Sequence, residues 1–419
     1  MRVAHINVTS GLSTGRIAVG ICEVLMELGH RGLVCYSRGY PPQGVPSYRI
    51  GGTADRWLHA LGARLTDRVG FFSRRATRRL VRQLALYRPD VVHLHNLHGY
   101  YLHLPTLFAW LARTRVPVVW TLHDCWAFTG HCAYYSMCGC ARWRKGCGHC
   151  PQRDAYPRSL LLDQSARNWR QKRLLYEKLP SLTLVTPSLW LGEEARRSFL
   201  GKRPIRIIPS GIDLTQFRPC DEPDLIRDVI TRYGLESLAD RRMLLSVASV
   251  WEARKGLEDL IALSAILPED LALVVLGLTP GQCRALPPEM IGIPRTESVR
   301  ELRALYTAAD LCLSLSHEET QGMTLLEAMA CGTQVLCYDA TALPELVTPA
   351  VGAVVPEGDL RAVAAACAAL CASPCAPEAC RERAARFEKR RQFARYVGLY
   401  QELCPPEPKP AASNANADA

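Results

Sequence analysis

The sequence predicts an α/β protein built from two doubly wound domains, and three observations carry that prediction. Short β-branched runs alternate with helical patterns, which implies parallel sheets covered by helices on both faces. The alternation runs through the chain as two successive series. The length of 419 residues suits two domains rather than one.

In the first series, Val3–Val8 is expected to be a strand and Ile17–Leu28 an amphipathic helix stopped by Gly29. Buried strands follow at Val91–Leu94, Val118–Leu122, Leu182–Thr186 and Ile205–Ile208. The second series places strands at Met243–Ala248, Leu271–Leu276, Leu311–Leu315 and Gln334–Cys337, with helices between. The turn-rich Pro209-Ser-Gly-Ile-Asp213 marks the boundary. The organisation read from this is an N-terminal domain at 1–212, carrying a cysteine-rich loop at 125–151, and a second domain at 213–385. A last long helix, about Ala379–Leu403, is expected to cross back so that 386–404 packs on the first domain. The Pro- and Ala-rich tail at 405–419 cannot bury a core and is expected to be disordered.

Composition narrows the function classes. The chain is 48% hydrophobic and 22% charged, with a net charge of +11. No apolar run reaches the roughly 18–20 residues of a membrane span, and the N-terminus reads as a strand rather than a signal peptide. Cytoplasmic residence is the expectation. Arg74, Arg75, Arg78, Arg79 and Arg82 share one broad helix face. That face is either a solvated surface or a patch for anionic lipid at the inner side of the plasma membrane. No aromatic-interleaved basic stripe accompanies it, so nucleic acid is not an expected partner.

The chemistry concentrates at strand ends, where open α/β sheets bind ligands. After the strand ending near Leu315, a helix is expected to start at Gly322–Met323 and to be capped by Gly332. Free N–H groups at that start suit a diphosphate, and Gly322 lets it come close. Glu319 and Glu327 stand eight positions apart, so two carboxylates can hold hydroxyls at the two ends of one ligand. Arg254 and Lys255, after the strand Met243–Ala248, are cations suited to a leaving diphosphate. His123 and Asp124 follow the strand ending at Leu122; a neutral histidine there can hydrogen-bond a ligand hydroxyl. Asp124 either orients that loop or faces an acceptor. The loop Thr9–Arg16 carries Gly15 and Arg16, the latter positioned for phosphate or acceptor.

The frame Glu318-Glu-Thr-Gln-Gly-Met-Thr-Leu-Leu-Glu-Ala-Met-Ala-Cys-Gly-Thr333 resembles the signature of family 4 glycosyltransferases, and the resemblance covers the chain to about residue 403. It implies the GT-B fold, two Rossmann-like domains facing each other across a cleft. It implies that Glu327 binds ribose hydroxyls, that Glu319 contacts the donor sugar, and that the Gly322, Met323 and Thr324 amides take the phosphates. The string Val119–His131 resembles members that build bacterial surface polysaccharides, in which the histidine matching His123 lies near the reacting sugar. The sequence departs from the family at Val250, where an arginine is usual; Arg254 is expected to substitute. The implied reaction is retaining transfer from a UDP- or GDP-sugar to a glycan or lipid-linked acceptor. No Asp-x-Asp motif is present, so catalysis is expected to need no metal or other cofactor. A sugar-nucleotide epimerase on the same fold, or a non-catalytic scaffold, are the alternatives.

Five of the eighteen cysteines cluster between Cys132 and Cys150. Cys147-x2-Cys150 has the spacing of a metal knuckle, and Cys132 and Cys140 could complete a structural zinc site. The other reading is a set of reduced thiols packed with Trp143 and Tyr134.

Overall fold

The computed structural model describes residues 1–11 and 13–405. Two parallel sheets organise it. The first holds β1 (Arg2–Ile6), β2 (Arg31–Tyr36), β3 (Ser47–Arg49), β4 (Val91–Leu94), β5 (Val118–Thr121), β6 (Leu182–Thr186) and β7 (Ile205–Ile207), in the order β3-β2-β1-β4-β5-β6-β7. The second holds β8 (Arg242–Val247), β9 (Leu271–Leu276), β10 (Ile291–Ile293), β11 (Leu311–Ser314), β12 (Val335–Tyr338) and β13 (Gly352–Val355), in the order β10-β9-β8-β11-β12-β13. Each order reverses direction once, between β1 and β4 and between β8 and β11. A crevice opens at the strand ends on either side of such a reversal. The residues singled out by sequence follow β1, β5, β8 and β11, and so stand at these two crevices or beside them.

The central strands are buried on both faces, which is why they read as continuous apolar runs. Of the strands not anticipated from sequence, β3, β10 and β13 are sheet edges of three or four residues, while β2 is an internal six-residue strand paired with both β1 and β3. Short edge strands are exposed on one side and carry a weak pattern.

The expected last helix is two. One helix, Pro377–Ala385, stays with the second domain, and another, Lys389–Leu403, crosses to the first. The break has a local cause. The Glu388 carboxylate accepts from the backbone N–H groups of Arg390 (2.7 Å) and Arg391 (2.6 Å), starting a new helix. On either side of it, Ile212 N donates to Phe387 O and Lys389 N donates to Ile212 O, both at 2.8 Å. The two chain crossings between domains therefore run side by side. Beyond them, Phe393, Tyr396, Val397 and Tyr400 bury themselves against Val3, Ile21, Val91 and Val119.

The five arginines lie on the helix Arg74–Tyr87, all exposed, above a buried row of Ala76, Thr77, Leu80 and Leu84. Among the described residues, no single helix is long and apolar enough to cross a membrane. Apart from Pro405, the tail expected to be disordered lies outside the described residues.

Candidate active site

The C-terminal half of the site is set by two glycines. After β8 a short turn, Ala253–Lys255, ends at Gly256, whose φ is +74°. A Cβ there would stand 2.0 Å from the Leu315 carbonyl oxygen, so only glycine lets this turn lie on the end of β11. The close approach brings Lys255 into an ion pair with the Glu319 carboxylate. Arg254 donates to Glu318 O (2.9 Å) and to the Glu252 carboxylate (3.1 Å), and comes within 4.0 Å of Glu319. Val250, where the family has its arginine, is exposed and takes no part. The second glycine, Gly322 (φ +88°), precedes the helix Met323–Ala330, and a Cβ there would meet Leu343 at 2.7 Å. The amides of Gly322, Met323 and Thr324 meet no acceptor among the described residues; they are the free donors a helix start offers an anion.

Glu327 lies further along this helix, half-buried, and accepts from the Tyr306 hydroxyl at 3.0 Å. Burial pushes its pKa up to about 7, against the opposing pull of the Tyr306 bond and the Arg16 charge. Arg16 belongs to the first domain, is exposed, and is held by the Gly11 carbonyl at 3.2 Å. Gly15, in the first turn of the helix Ser13–Glu27, packs its Cα on the backbone of Thr9 and Ser10.

On the first domain, strand register aligns the polar residues. His5 is the Cα partner of His93, and His93 of Val119. Counting on by twos places His95, Thr121 and His123 on the same face. His123 Nε2 meets His95 Nδ1 at 3.1 Å. Burial pushes the His123 pKa down to about 4, despite Asp124 beside it, so the ring is neutral near pH 7. Asp124 faces inward. Its carboxylate pairs with His98 (2.7 Å) and caps the Trp126 N–H (2.9 Å). Burial opposes its charge, but His98 and Trp126 outweigh burial and hold its pKa below the usual value. Of the two roles open to Asp124, the geometry provides for orienting the loop.

Contacts across the cleft bring these halves together. Thr320 Oγ1 donates to the His123 carbonyl at 3.1 Å. Glu318, 1% exposed, accepts from Tyr135 N (3.0 Å) and Ser136 N (2.7 Å). Glu345 accepts from Leu189 N and Trp190 N at the start of the helix Leu189–Arg196, both at 2.8 Å. The Arg254 guanidinium lies 3.8 Å above the Tyr134 ring. Sequence reading missed Glu318, Glu345, Tyr306, His95 and His98, and placed Tyr134 only among the cysteines. Glu318 adjoins Glu319 in the same motif, and its neighbour drew the attention; the others have no local signal, because their partners lie far along the chain.

All eighteen cysteines are free. The cysteine loop packs on Phe128, Tyr135 and Trp143 and is braced from behind by Lys172, which donates to Trp126 O (2.6 Å) and Thr129 O (3.1 Å). Cys132, hydrogen-bonded to Cys150, lowers the Cys150 pKa to about 7, whereas Cys150 and burial raise that of Cys132 and burial pushes that of Cys147 up to about 12. Gly130 N donates to Cys147 Sγ at 3.1 Å, and Cys140 lies close by on the same core. These four thiols do not gather within 4.8 Å as a set of three; among the described residues, His5, His93 and His95 are the group that does.

Comparison with known proteins accords with this geometry. Residues 14–216 match the model described as glycosyltransferase family 4, and residues 241–373 the model described as glycosyl transferases group 1. The chain belongs to glycosyltransferase family 4. A relative, the putative colanic acid biosynthesis glycosyl transferase WcaC of Escherichia coli (strain K12), is 35% identical over 133 residues, covering 30% of this chain and 32% of that protein. Across the first curated relatives, the chain spans between 32% and 40% of their length. The fold is GT-B. The sucrose-phosphate synthase of Thermosynechococcus elongatus superposes with a TM-score of 0.69 at 19% identity, over 96% of this chain and 98% of that one. HepE of Anabaena, solved in complex with UDP, gives 0.66 at 15% identity, over 96% and 100%.

Proposed function

We propose that this family 4 chain transfers a sugar from a nucleoside-diphosphate sugar to a glycan or lipid-linked acceptor in surface polysaccharide assembly, with retention of configuration. The observation that carries the reading is the convergence, across one cleft, of His123 from the first domain with Lys255, Glu319 and Glu327 from the second. The nucleotide ribose would meet Glu327. The diphosphate would lie at the amides of Gly322, Met323 and Thr324, with Lys255 and Arg254 neutralising the charge that develops as it leaves. This positive cradle supplies what a bridging cation supplies elsewhere. Glu319 and His123 would contact the donor sugar. On this reading the bond from C1 to the leaving phosphate breaks while C1 bonds to the acceptor oxygen on the same face. The acceptor proton passes to that phosphate. The UDP in the Anabaena structure supports trying UDP-glucose first among UDP- and GDP-sugars.

The test is nucleotide release from such a panel in EDTA, with Glu327→Ala beside it. Release from one donor that survives EDTA and is lost in the variant is the expected result. No release together with no saturable nucleotide binding would sink the proposal and leave the scaffold reading; turnover of the sugar nucleotide to an isomer without an acceptor would leave the epimerase.

The same proposal places the chain at the inner face of the plasma membrane. The helix Thr53–Thr66 exposes Trp57 (69%), Leu58 (69%) and Leu61 (58%) on one face. Leu160 N donates to Arg64 O at 2.6 Å, so the exposed Leu160, Leu161 and Leu162 adjoin the helix end. Apolar side chains beside an arginine-studded helix suit an anionic bilayer surface. The chain should float with vesicles containing phosphatidylglycerol and stay behind with phosphatidylcholine alone; equal behaviour with both would remove the membrane from the reading.

For Cys132, Cys140, Cys147 and Cys150, a structural zinc remains our proposal on donor chemistry. The lowered Cys150 pKa favours a thiolate at that position, and a bound zinc would displace the protons still held by Cys132 and Cys147. Zinc would have to draw Cys140 and Cys147 toward the Cys132–Cys150 pair. Elemental analysis of the purified protein decides it: about one zinc per chain supports the site, and none, after growth in zinc, rejects it.

A further inference from the structure

The histidine that faces the cleft is the end of a buried row. His123 Nε2 meets His95 Nδ1 at 3.1 Å, and His95 Nε2 meets His5 Nδ1 at 3.3 Å. The ring planes are 14° and 23° from parallel, with centroids 5.4 Å and 5.6 Å apart. The rings thus meet nearly edge to edge, as in-line N–H···N bonds require. His5 and His95 are at most 1% exposed. His93 stands beside them but is engaged elsewhere, at Tyr400 Oη (2.6 Å) and Thr121 Oγ1 (2.7 Å).

A neutral imidazole carries one N–H and one lone pair. His95 must therefore donate at one nitrogen and accept at the other, and only two arrangements of the row exist. They differ at the far end, where His5 Nε2 is buried with no partner. In one arrangement that nitrogen is an orphaned N–H; in the other it is a bare lone pair. Orphaned buried N–H groups are the rarer kind. The lone pair at His5 Nε2 puts its proton on Nδ1, which donates to His95 Nε2. His95 then carries its proton on Nδ1 and donates to His123 Nε2. His123 is left with its proton on Nδ1. That atom has no protein partner among the described residues and is not one of the buried orphans, so it is open to the cleft.

We propose that His5 and His95 are positioning residues that hold His123 in the tautomer protonated on Nδ1. It then meets the donor sugar as a hydrogen-bond donor. Its lone pair is occupied by His95, so it cannot serve as the base that deprotonates an acceptor. The catalytic consequence rests on the transfer reading above; the tautomer itself does not.

The test is imidazole nitrogen NMR on the full chain labelled with ¹⁵N-histidine, without substrate, His123 being assigned by its loss in His123→Asn. The wild type should show His123 protonated at Nδ1. His95→Phe, which removes the donor, should move it to the Nε2-protonated form that free histidine favours. His95→Asn, whose side-chain amide stands near the old Nδ1, should restore the Nδ1 form. In the donor-release assay kcat should fall on the order of tenfold in His95→Phe, with KM little changed, and recover in part in His95→Asn. A wild-type His123 protonated at Nε2 would overturn the proposal. So would a tautomer unmoved by His95→Phe, in a variant whose near-UV circular dichroism shows it folded. An Nδ1 tautomer in a chain that neither turns over a nucleotide sugar nor binds nucleotide would refute the transfer reading and leave the row intact.

Discussion

At the scale of single residues, the site carries groups whose titration opposes one another. Glu327 has a folded pKa of about 7 against an ordinary 4.5, because burial disfavours its charge. The folded state binds its proton more tightly than the unfolded state does. Its contribution to stability is therefore full below pH 4.5 and is lost as pH rises through 7. Glu327→Gln should stabilise the ligand-free protein at pH 8, by an amount of order 2 kcal/mol, and leave it unchanged at pH 4. The same variant should weaken nucleotide binding, since the amide replaces a charged acceptor of hydroxyls. Thermal melts at the two pH values, with a nucleotide titration, check both halves. His123 and His5 work in the other direction. Burial lowers them from 6.5 to about 4 and about 3, so the unfolded state binds the extra protons. They cost nothing above pH 6.5 and progressively destabilise the fold as pH falls toward 4. In His5→Phe the acid-side loss of stability between pH 6.5 and 4 should be smaller than in the wild type.

At the scale of elements, the turn at Lys255 and the helix at Met323 depend on backbone that side chains would block. Gly256→Ala places a Cβ against a carbonyl oxygen and forces a positive φ. Either the turn lifts off β11 and separates Lys255 from Glu319, or the domain loses about 3 kcal/mol or more. Denaturant unfolding beside nucleotide binding distinguishes the two, and a variant unchanged in both would refute the account. The elements best read from sequence were the central strands. Val91–Leu94, Leu182–Thr186 and Leu271–Leu276 coincide with their predicted limits, because strands buried on both faces show an uninterrupted apolar run. The helix break at Glu388 was invisible. Residues 379–403 carry no proline, and the signal is a carboxylate capping its own helix beside the distant Ile212. Likewise, the motif from Glu318 to Thr333 located the second domain's half of the candidate site, while Tyr306 emerged only when the fold brought it in.

At the scale of the molecule, the two domains are tied by carboxylates that grip backbone amides. Glu318 holds Tyr135 and Ser136, and Glu345 holds Leu189 and Trp190. Neither residue touches the helix start offered to the diphosphate. Replacing both by alanine should open the cleft, and the radius of gyration by small-angle scattering should increase. Nucleotide should restore the compact form if closure and donor binding are coupled. An unchanged radius in the double variant would show that the paired crossings at Ile212 and Lys389, with the Thr320 and Arg254 contacts, hold the domains without the two carboxylates. This scale was the least legible in sequence, since each tie joins residues more than 150 positions apart.

The helix Lys389–Leu403 has a consequence for how the protein is made. A ribosome completes β1 to β7 long before it reaches Tyr396 and Tyr400, the side chains that cover His93 and the floor of that sheet. During synthesis the first domain stands with its histidine-bearing face uncovered while the second is still being produced. Order of synthesis and order of completion are thus reversed: the second domain can close its own core first. Translation that halts before residue 396 would leave a chain with all the motifs of the candidate site and an unfinished first domain.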